Sequence, residues 1–340
     1  MKNNYEAWDV TPDNFPRNGT NAQKLTFLCR YGVLAPSGHN SQPWELCIQD
    51  DTLILSISQR AHLSAEGSGL LSAEPHVSLG CFLGTIDLAA QGFGLKLRMD
   101  ILARRGDYAR VSIIDGAHKK NPSLLTAIST RSSNRNEFLT QGIDPQTLSA
   151  VTEGLPKEVK SLVLEDADRE FIADKTKEAL DIIMAEPKYR QELSQWVRPN
   201  MTRSYDGMPG FTHGVPAVPS IVGKWMVKHM PGKGPQGEKS KRMMLNSGAV
   251  LIIGTKDRSA RNLIDAGIAY SKICIQANLN GLASSALGAA VIEPSIKDEV
   301  VGSLQLDFEP TYVLRLGYSD EKPKHSPRRP IENTKLAADC

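Results

Sequence analysis

Residues 35–44 read APSGHNSQPW, the most informative stretch of the chain. It combines two prolines, a glycine and five hydrogen-bonding side chains directly after a segment with helical apolar spacing. Pro36 and Gly38 are expected to end that helix, because proline cannot continue the backbone ladder and glycine tolerates positive φ. Pro43 disfavours a helical conformation at Gln42. The stretch therefore predicts a stiff polar loop that suits a flat heteroaromatic ligand, although a solvated turn uses the same residue types.

The composition of the chain limits the classes of protein to which it can belong. The chain has 340 residues, a length that favours two domains or one duplicated unit. Of these residues 40% are hydrophobic and 23% charged, as in an ordinary globular protein. A net charge of +2 argues against nucleic acid as the main partner. No apolar stretch in the sequence suggests a signal peptide or a membrane span. We therefore expect a cytoplasmic protein that binds a small molecule, with no nucleic-acid or membrane partner.

The five cysteines are scattered and form no CxxC pair. An odd set without close spacing favours reduced thiols over a disulfide framework or a zinc site. No metal site is predicted.

Two segments of the sequence can be overlaid without a gap, residues 80–95 on residues 267–282. In this alignment Gly80 corresponds to Gly267, and Gly94 corresponds to Gly281. Both segments have helical apolar spacing and then a glycine placed to stop the helix. A β-branched strand follows each one. The pattern favours an internal duplication, although long buried helices also resemble one another by chance.

The remaining periodicity predicts strands interleaved with helices, with one hairpin. Helices are predicted at 22–34, 122–130, 145–153, 167–185 and 263–279, and strands at 45–48, 52–57, 109–114, 161–164, 249–255 and 311–316. This pattern is typical of an α+β protein, a mixed α/β sandwich. We expect two tandem halves, residues 1–118 and residues 119–340.

Residues 186–246 break the regular pattern. Glycine and proline clusters at 207–219 and 231–237 are not expected to hold long regular elements. The segment is also rich in aromatic residues and methionine, so a lid over a pocket is favoured over a solvated linker. Residues 224–230 could instead lie on a membrane surface, but the stretch is short.

A second polar motif, RSSNRNEF, occupies residues 131–138. Arg131 and Arg135 flank two serines, and this combination provides charged and neutral donors for a phosphomonoester. Taken alone, it also fits a solvated basic turn. Arg328 and Arg329 form a further basic cluster near the end of the chain and could close over the same phosphate.

Together, PSGHNSQPW and RSSNR resemble the nitroreductase-like FMN-binding family. The single-chain length and the aromatic insertion are most similar to its duplicated, Acg-type subfamily. The resemblance covers about residues 25–330. It implies a nitroreductase-like fold in which two related halves form a pseudo-dimer.

The resemblance also implies the site residues. In the family, one subunit grips the FMN phosphate and the loop of the other contacts the ring and ribityl chain. The implied cofactor-binding residues in this chain are Pro36, Ser37, Asn40, Gln42, Arg131, Ser133, Arg135, Arg328 and Arg329. The first half carries only the ring loop and the second half only the phosphate motif. We therefore expect one FMN per chain and a monomer that acts as its own dimer.

The implied function is an FMN-dependent oxidoreductase that passes hydride from NADH or NADPH to a nitroaromatic or quinone-like acceptor. Hydride transfer needs no side-chain acid or base, so no catalytic residue is assigned, and His39 is more typical of a structural hydrogen bond. The alternative is an FMN storage protein whose lid closes the flavin site. A non-flavin nucleotide enzyme is disfavoured, because residues 66–71 lack the third glycine of a dinucleotide fingerprint.

Overall fold

The computed structural model describes residues 3–58, 72–104, 107–230 and 235–334. The glycine-containing stretch at 66–71 lies outside these residues. The described chain is built from two antiparallel four-stranded sheets and the helices packed on them. The predicted α+β class is confirmed.

The first sheet comes from the first third of the chain. Its strands are β1 (Trp44–Gln49), β2 (Thr52–Ile57), β3 (Leu95–Arg104) and β4 (Asp107–Ala117), in the order β1-β2-β4-β3. The predicted hairpin joins β1 and β2, with Gln49 paired to Thr52. Asp50 and Asp51 form its turn with φ values of 46° and 58°. Positive φ at both central residues is what a tight hairpin turn requires.

The second sheet has the same connectivity. Its strands are β5 (Val159–Val163), β8 (Ala249–Thr255), β9 (Ala283–Ala286) and β10 (Glu309–Gly317), in the order β5-β8-β10-β9. The long connection between β5 and β8 corresponds to the two-residue turn of the first sheet. It also carries a small parallel pair, β6 (Val197–Arg198) and β7 (Met208–Pro209).

Eleven helices are present in the described residues. They are α1 (Asn21–Gly32), α2 (Glu74–Phe93), α3 (Ser123–Thr130), α4 (Pro145–Thr152), α5 (Asp166–Ala185), α6 (Pro187–Trp196), α7 (Ala217–His229), α8 (Pro235–Leu245), α9 (Ala260–Leu279), α10 (Ala289–Ile292) and α11 (Pro294–Ser303). Within the described parts of the chain, none of them has both the length and the apolar character needed to cross a bilayer.

Helices α2 and α9 cross at the centre of the molecule, at the two glycines that the sequence overlay matches. A Cβ on Gly80 would lie 2.0 Å from the carbonyl oxygen of Ile264, and a Cβ on Gly267 would lie 2.0 Å from that of Val77. Only glycine permits this approach of two backbones. Val77 and Ile264 each lie three residues before the glycine of their own helix, so the contact is reciprocal. This is the geometry of an interface between two equivalent surfaces.

The crossing lies within one continuous apolar core that contains α1, α2, α3 and α9 together with parts of both sheets. A second cluster lies between the other face of the second sheet and helices α5, α10 and α11. The two sheets are therefore held on a shared central layer of helices.

The structure differs from the sequence predictions in several elements. Strands β3 and β9 and helices α10 and α11 were not predicted. Residues 186–246 contain α6, α7 and α8, although their glycine and proline clusters predicted irregular chain. Pro187 and Pro235 occupy the first positions of their helices, and Pro219 lies in the first turn of α7. A proline there removes no intrahelical hydrogen bond, so these prolines begin helices.

The expectation of reduced thiols holds for three described cysteines and not for Cys47. Cys29, Cys81 and Cys274 are free and buried. Cys47 is disulfide-bonded.

Candidate functional site

The polar loop follows α1 and has an unusual backbone. His39, Asn40 and Gln42 have φ values of 51°, 57° and 53°. Left-handed conformations are uncommon for residues other than glycine and cluster at functional sites, where surrounding contacts hold them. The backbone N–H of Gly38 donates to Ser78 Oγ of α2 (3.1 Å), and that of Gln42 donates to Ser37 Oγ (3.1 Å). The loop is therefore fixed to the central helix.

The side chain of Asn40 joins this loop to two distant segments. Its amide nitrogen donates to the carbonyl oxygens of Gly207 and Pro327, both at 2.9 Å. Its amide oxygen accepts from Arg328 Nη1. Asn40 is 7% exposed, so these bonds lie in a buried environment where leaving them unmade is costly.

Gln42 makes a parallel set of bonds. Its amide nitrogen donates to the carbonyl oxygen of Tyr205 (2.7 Å), and its amide oxygen accepts from the backbone N–H of Arg329 (2.8 Å). The loop thus holds the 205–207 segment on one side and the 327–329 segment on the other. We call residues 205–212 the lid segment, after the predicted lid of residues 186–246 that contains them; their action as a lid stays a prediction.

Arg131 reaches the same region from the other half of the chain. It is the C-cap of α3 and is 3% exposed. Its Nη2 donates to the carbonyl oxygen of Leu34, which immediately precedes the polar loop (3.3 Å). Its Nη1 is buried and has no hydrogen-bond partner. A buried guanidinium N–H without a partner is rare and is consistent with a site that binds an anion.

The backbone that carries Arg131 and Arg135 is held by the second sheet. Ser133 forms a bridge with Ser284 of β9, and Arg315 of β10 donates to the carbonyl oxygens of Asn134 (2.8 Å) and Asn136 (2.7 Å). Arg315 is fully buried beneath the ring of Phe138. It acts on the motif through the backbone, so a scan for phosphate-binding residues does not identify it.

A narrow cleft of about 70 Å³ opens between the polar loop, the RSSNR segment, the lid segment and the C-terminal segment. Its lining residues are Trp8, Pro36, Ser37, His39, Asn40, Arg131, Ser132, Ser133, Arg135, Met208, Thr212, Pro323, Lys324, His325, Ser326 and Arg328. Among the described residues that line it are four Lys or Arg side chains and no carboxylate. The cleft is therefore strongly electropositive.

Burial and the positive charges of the cleft lower the pKa values of three groups that line it. Burial, and then the nearby charge of Arg131, lowers the pKa of Arg328 to about 9. Burial and the Arg135 charge lower the pKa of His39 to about 4. His325 has its pKa lowered to about 4 by burial and by Arg131 and Arg328. Both histidines are therefore neutral at pH 7, and a bound anion would relieve the mutual repulsion of the guanidinium groups.

Seven of the nine residues predicted to bind the cofactor line this single cleft. They are Pro36, Ser37, Asn40, Arg131, Ser133, Arg135 and Arg328. Gln42 and Arg329 lie behind it, joined to each other, and Arg329 also faces Asp206 at 3.5 Å. The structure therefore brings the two sequence motifs together. Their role in cofactor binding stays a prediction.

Sequence reasoning missed several residues of the cleft. Trp8 stacks on His325 with ring centroids 3.8 Å apart, and the Arg328 guanidinium lies 5.2 Å from the Trp8 ring. No motif surrounds Trp8, and its partners are more than 300 residues away in the chain, so nothing in the local sequence indicates this contact.

Arg135 also lines a second cavity of about 210 Å³. Most of that wall is apolar and comes from α5, α8 and α10, with Tyr189, His213 and Lys239 among its polar residues. A guanidinium therefore stands between a cationic cleft and a larger, mainly apolar cavity.

Comparison with known proteins identifies relatives of similar sequence. No family model matches the chain. Two curated proteins, from the CDC 1551 / Oshkosh and H37Rv strains of Mycobacterium tuberculosis, are each 24% identical over 342 residues. The alignments cover 94% of this chain and 96% of each relative, and both relatives carry the name "Putative NAD(P)H nitroreductase acg". The predicted resemblance to the Acg-type nitroreductase-like family is confirmed.

Solved structures of nitroreductases are more distant. NfnB of Mycobacterium smegmatis, in complex with NADPH, is 15% identical with a TM-score of 0.40, over 63% of this chain and 97% of that one. A Desulfovibrio desulfuricans nitroreductase in complex with FMN is 15% identical with a TM-score of 0.38, over 64% and 97% of the two chains. TM-scores below 0.5 do not by themselves establish a common fold.

Proposed function

We propose that this chain is an FMN-dependent oxidoreductase that takes hydride from NADH or NADPH and reduces a nitroaromatic or quinone-like acceptor. The observation that carries the proposal is the electropositive cleft, in which Arg131 and Arg328 converge on the polar loop. The full-length similarity to proteins named as NAD(P)H nitroreductases supports it. When bound, FMN would supply the hydride chemistry.

The residues present fit the phosphate end of FMN. Arg131 Nη1 and Arg328 Nε are buried donors with no hydrogen-bond partner. Ser133 contributes a hydroxyl beside them. A dianionic phosphate would accept from all three groups and neutralise part of the charge that they concentrate. These residues would therefore anchor the cofactor and fix its position in the cleft.

Arg135 would have a different role, at the ring end of FMN. It lines both the cleft and the mainly apolar second cavity, so a planar ring system that extends from one to the other would pass beside it. There, Arg135 would place a fixed positive charge where negative charge develops on reduction. The apolar wall would exclude water from the ring.

The proposed stoichiometry is one FMN per chain. The polar loop belongs to the first predicted half and the RSSNR segment to the second, and together they line one cleft. We infer that residues 1–118 and 119–340 act as the two subunits of a pseudo-dimer, so that a monomer is sufficient for binding.

The lid segment favours a second candidate function, storage of FMN. Asn40 and Gln42 hold residues 205–207 in place, and Met208 and Thr212 close one side of the cleft. The cleft and the second cavity are each smaller than the 300–1,000 Å³ of most small-molecule sites. Entry of FMN would require the lid segment to move, and a lid that stays closed afterwards would block nicotinamide access.

Anaerobic mixing of the FMN-loaded protein with NADH or NADPH distinguishes the two functions. Loss of the oxidised flavin absorbance within the mixing time, and its return on adding a quinone, is expected for an oxidoreductase. An oxidised spectrum that persists while free FMN and dithionite controls behave normally would support storage. A protein that binds no FMN would contradict both.

A further inference from the structure

Helix α7 presents its apolar face to solvent. Its large exposed side chains are Val218 (77%), Ile221 (70%), Val222 (50%), Trp225 (60%) and Met226 (40%). They recur at the i, i+3, i+4, i+7 and i+8 spacing of a single helical stripe. A helix on a globular surface ordinarily directs such a stripe into the core, so this orientation is reversed.

The inward face of α7 is the opposite one. Ser220 is buried, and Gly223 and Val227 are partly buried, which places them on the far side of the helix at 100° per residue. Ser220 Oγ accepts from the backbone N–H of Asn200 (3.0 Å), and Asn200 donates to the carbonyl oxygen of Val215 (3.0 Å). The hydrogen bonds that anchor α7 thus belong to its small-residue side and leave the large apolar side uncovered.

The segment that carries this face has charged residues of one sign only. Between Asp206 and Glu238 the sequence contains no acidic residue, while it contains three lysines. Lys224 and Lys228 lie one turn apart on a flank of the apolar stripe, and both are exposed. A symmetric contact between two copies of α7 would bring these lysines together with no acidic residue of the helix to pair with them.

We propose that α7 docks on an anionic lipid bilayer, with its apolar stripe inserted at the headgroup level and its lysines on the lipid phosphates. An amphipathic helix with a tryptophan on the apolar face and lysines beside it has the composition of interfacial helices. Acidic lipid supplies the negative charge that the segment lacks. The proposal concerns a surface outside the cleft and does not rest on FMN binding.

Vesicle flotation of the full-length protein tests the docking. Binding is expected to vesicles that contain phosphatidylglycerol, to weaken at high salt, and to be much weaker on neutral phosphatidylcholine vesicles. Equal binding to both vesicle types, or no binding to either, would overturn the proposal. A wild-type dimer that Trp225→Gln converts to a monomer would assign the face to a second copy instead.

Two pairs of variants locate the contact. Replacing both lysines, Lys224→Gln with Lys228→Gln, should weaken binding to anionic vesicles by about 25-fold, at about fivefold per lysine. The control, Lys119→Gln with Lys157→Gln, makes the same change in net charge on exposed lysines elsewhere and should have little effect. Equal losses in the two pairs would show a net-charge effect and overturn the proposal.

A further variant, with a matched control, tests the contact of the apolar stripe with the bilayer. Trp225→Gln should reduce binding at least tenfold on anionic vesicles, because it removes the largest inserted side chain. Leu139→Gln changes an exposed apolar residue (41%) outside α7 and should leave binding unchanged. Since both side chains are exposed, both variants are expected to fold, which circular dichroism verifies. Unchanged binding of Trp225→Gln would overturn the proposal.

Discussion

At the scale of the residue, Arg131 carries the strongest argument for an anion site. One end of its guanidinium is fixed to the carbonyl oxygen of Leu34, and Nη1 is buried without a partner. Arg315, which supports the same segment, donates from both of its terminal nitrogens to backbone carbonyl oxygens, whereas Arg131 does so from only one. Arg131 is therefore positioned by the fold and still has a donor for a ligand.

Arg131→Ala should weaken FMN binding by roughly 10- to 150-fold, because a hydrogen bond to a charged group is worth about 1.5–3 kcal/mol. Fluorescence titration of the apoprotein measures the dissociation constant. Arg98→Ala, at a side chain that is 63% exposed on the first sheet, is the matched control and should bind FMN normally. An unchanged constant for Arg131→Ala would remove this residue from the site.

The two neutral histidines predict a pH dependence of stability. His39 and His325 have folded-state pKa values of about 4, against 6.5 for an unperturbed histidine. Between these values the unfolded chain binds more protons than the folded one, so the free energy of unfolding falls as pH falls from about 6.5 to about 4. Urea unfolding at several pH values should show a shallower dependence for His325→Gln. The exposed His118→Asn should retain the wild-type slope, and an unchanged slope in His325→Gln would contradict the assignment.

At the scale of the element, the α2–α9 crossing depends on two glycines. Gly80→Ala should lower the free energy of unfolding by about 3 kcal/mol, because its Cβ would overlap the carbonyl oxygen of Ile264 and the helices must separate. Gly302→Ala is the control, since a Cβ there meets no atom within 4 Å and an alanine in α11 should stabilise by about 0.5–1 kcal/mol. Thermal and urea unfolding measure both. Equal effects of the two substitutions would refute the close approach.

The lid segment gives a second prediction at this scale. Gln42→Ala removes the bonds to the Tyr205 carbonyl oxygen and to the Arg329 backbone N–H, so the lid should open more often. Stopped-flow mixing should show FMN association about tenfold faster, at about 1.4 kcal/mol for the lost bonds. The exposed Gln49→Ala on the hairpin is the control. Association that is unchanged or slower in Gln42→Ala would mean that the lid does not limit entry.

The elements also show what the sequence could predict. Long periodic helices were predicted correctly, and Gly94 and Gly281 stop α2 and α9 with φ values of 82° and 75°. The loop and the RSSNR segment were recognisable because their chemistry is local. The short β9 carries no periodic signal. The helices within residues 186–246 begin at or near prolines, which in the sequence resemble helix breakers. The hydrogen bonds that Asn40, Gln42 and Arg315 make join residues distant in sequence, so no local pattern predicts them.

At the scale of the whole molecule, two sheets of the same connectivity flank one central pair of helices, and the described cleft draws one motif from each half. We expect this arrangement to make a single anion-anchored flavin site in one chain. Calorimetric titration of the apoprotein with FMN and, in parallel, with riboflavin tests this most directly. One FMN per chain, with riboflavin bound at least 100-fold more weakly because it lacks the phosphate, is the predicted result. Two FMN per chain, or riboflavin bound as tightly as FMN, would contradict it.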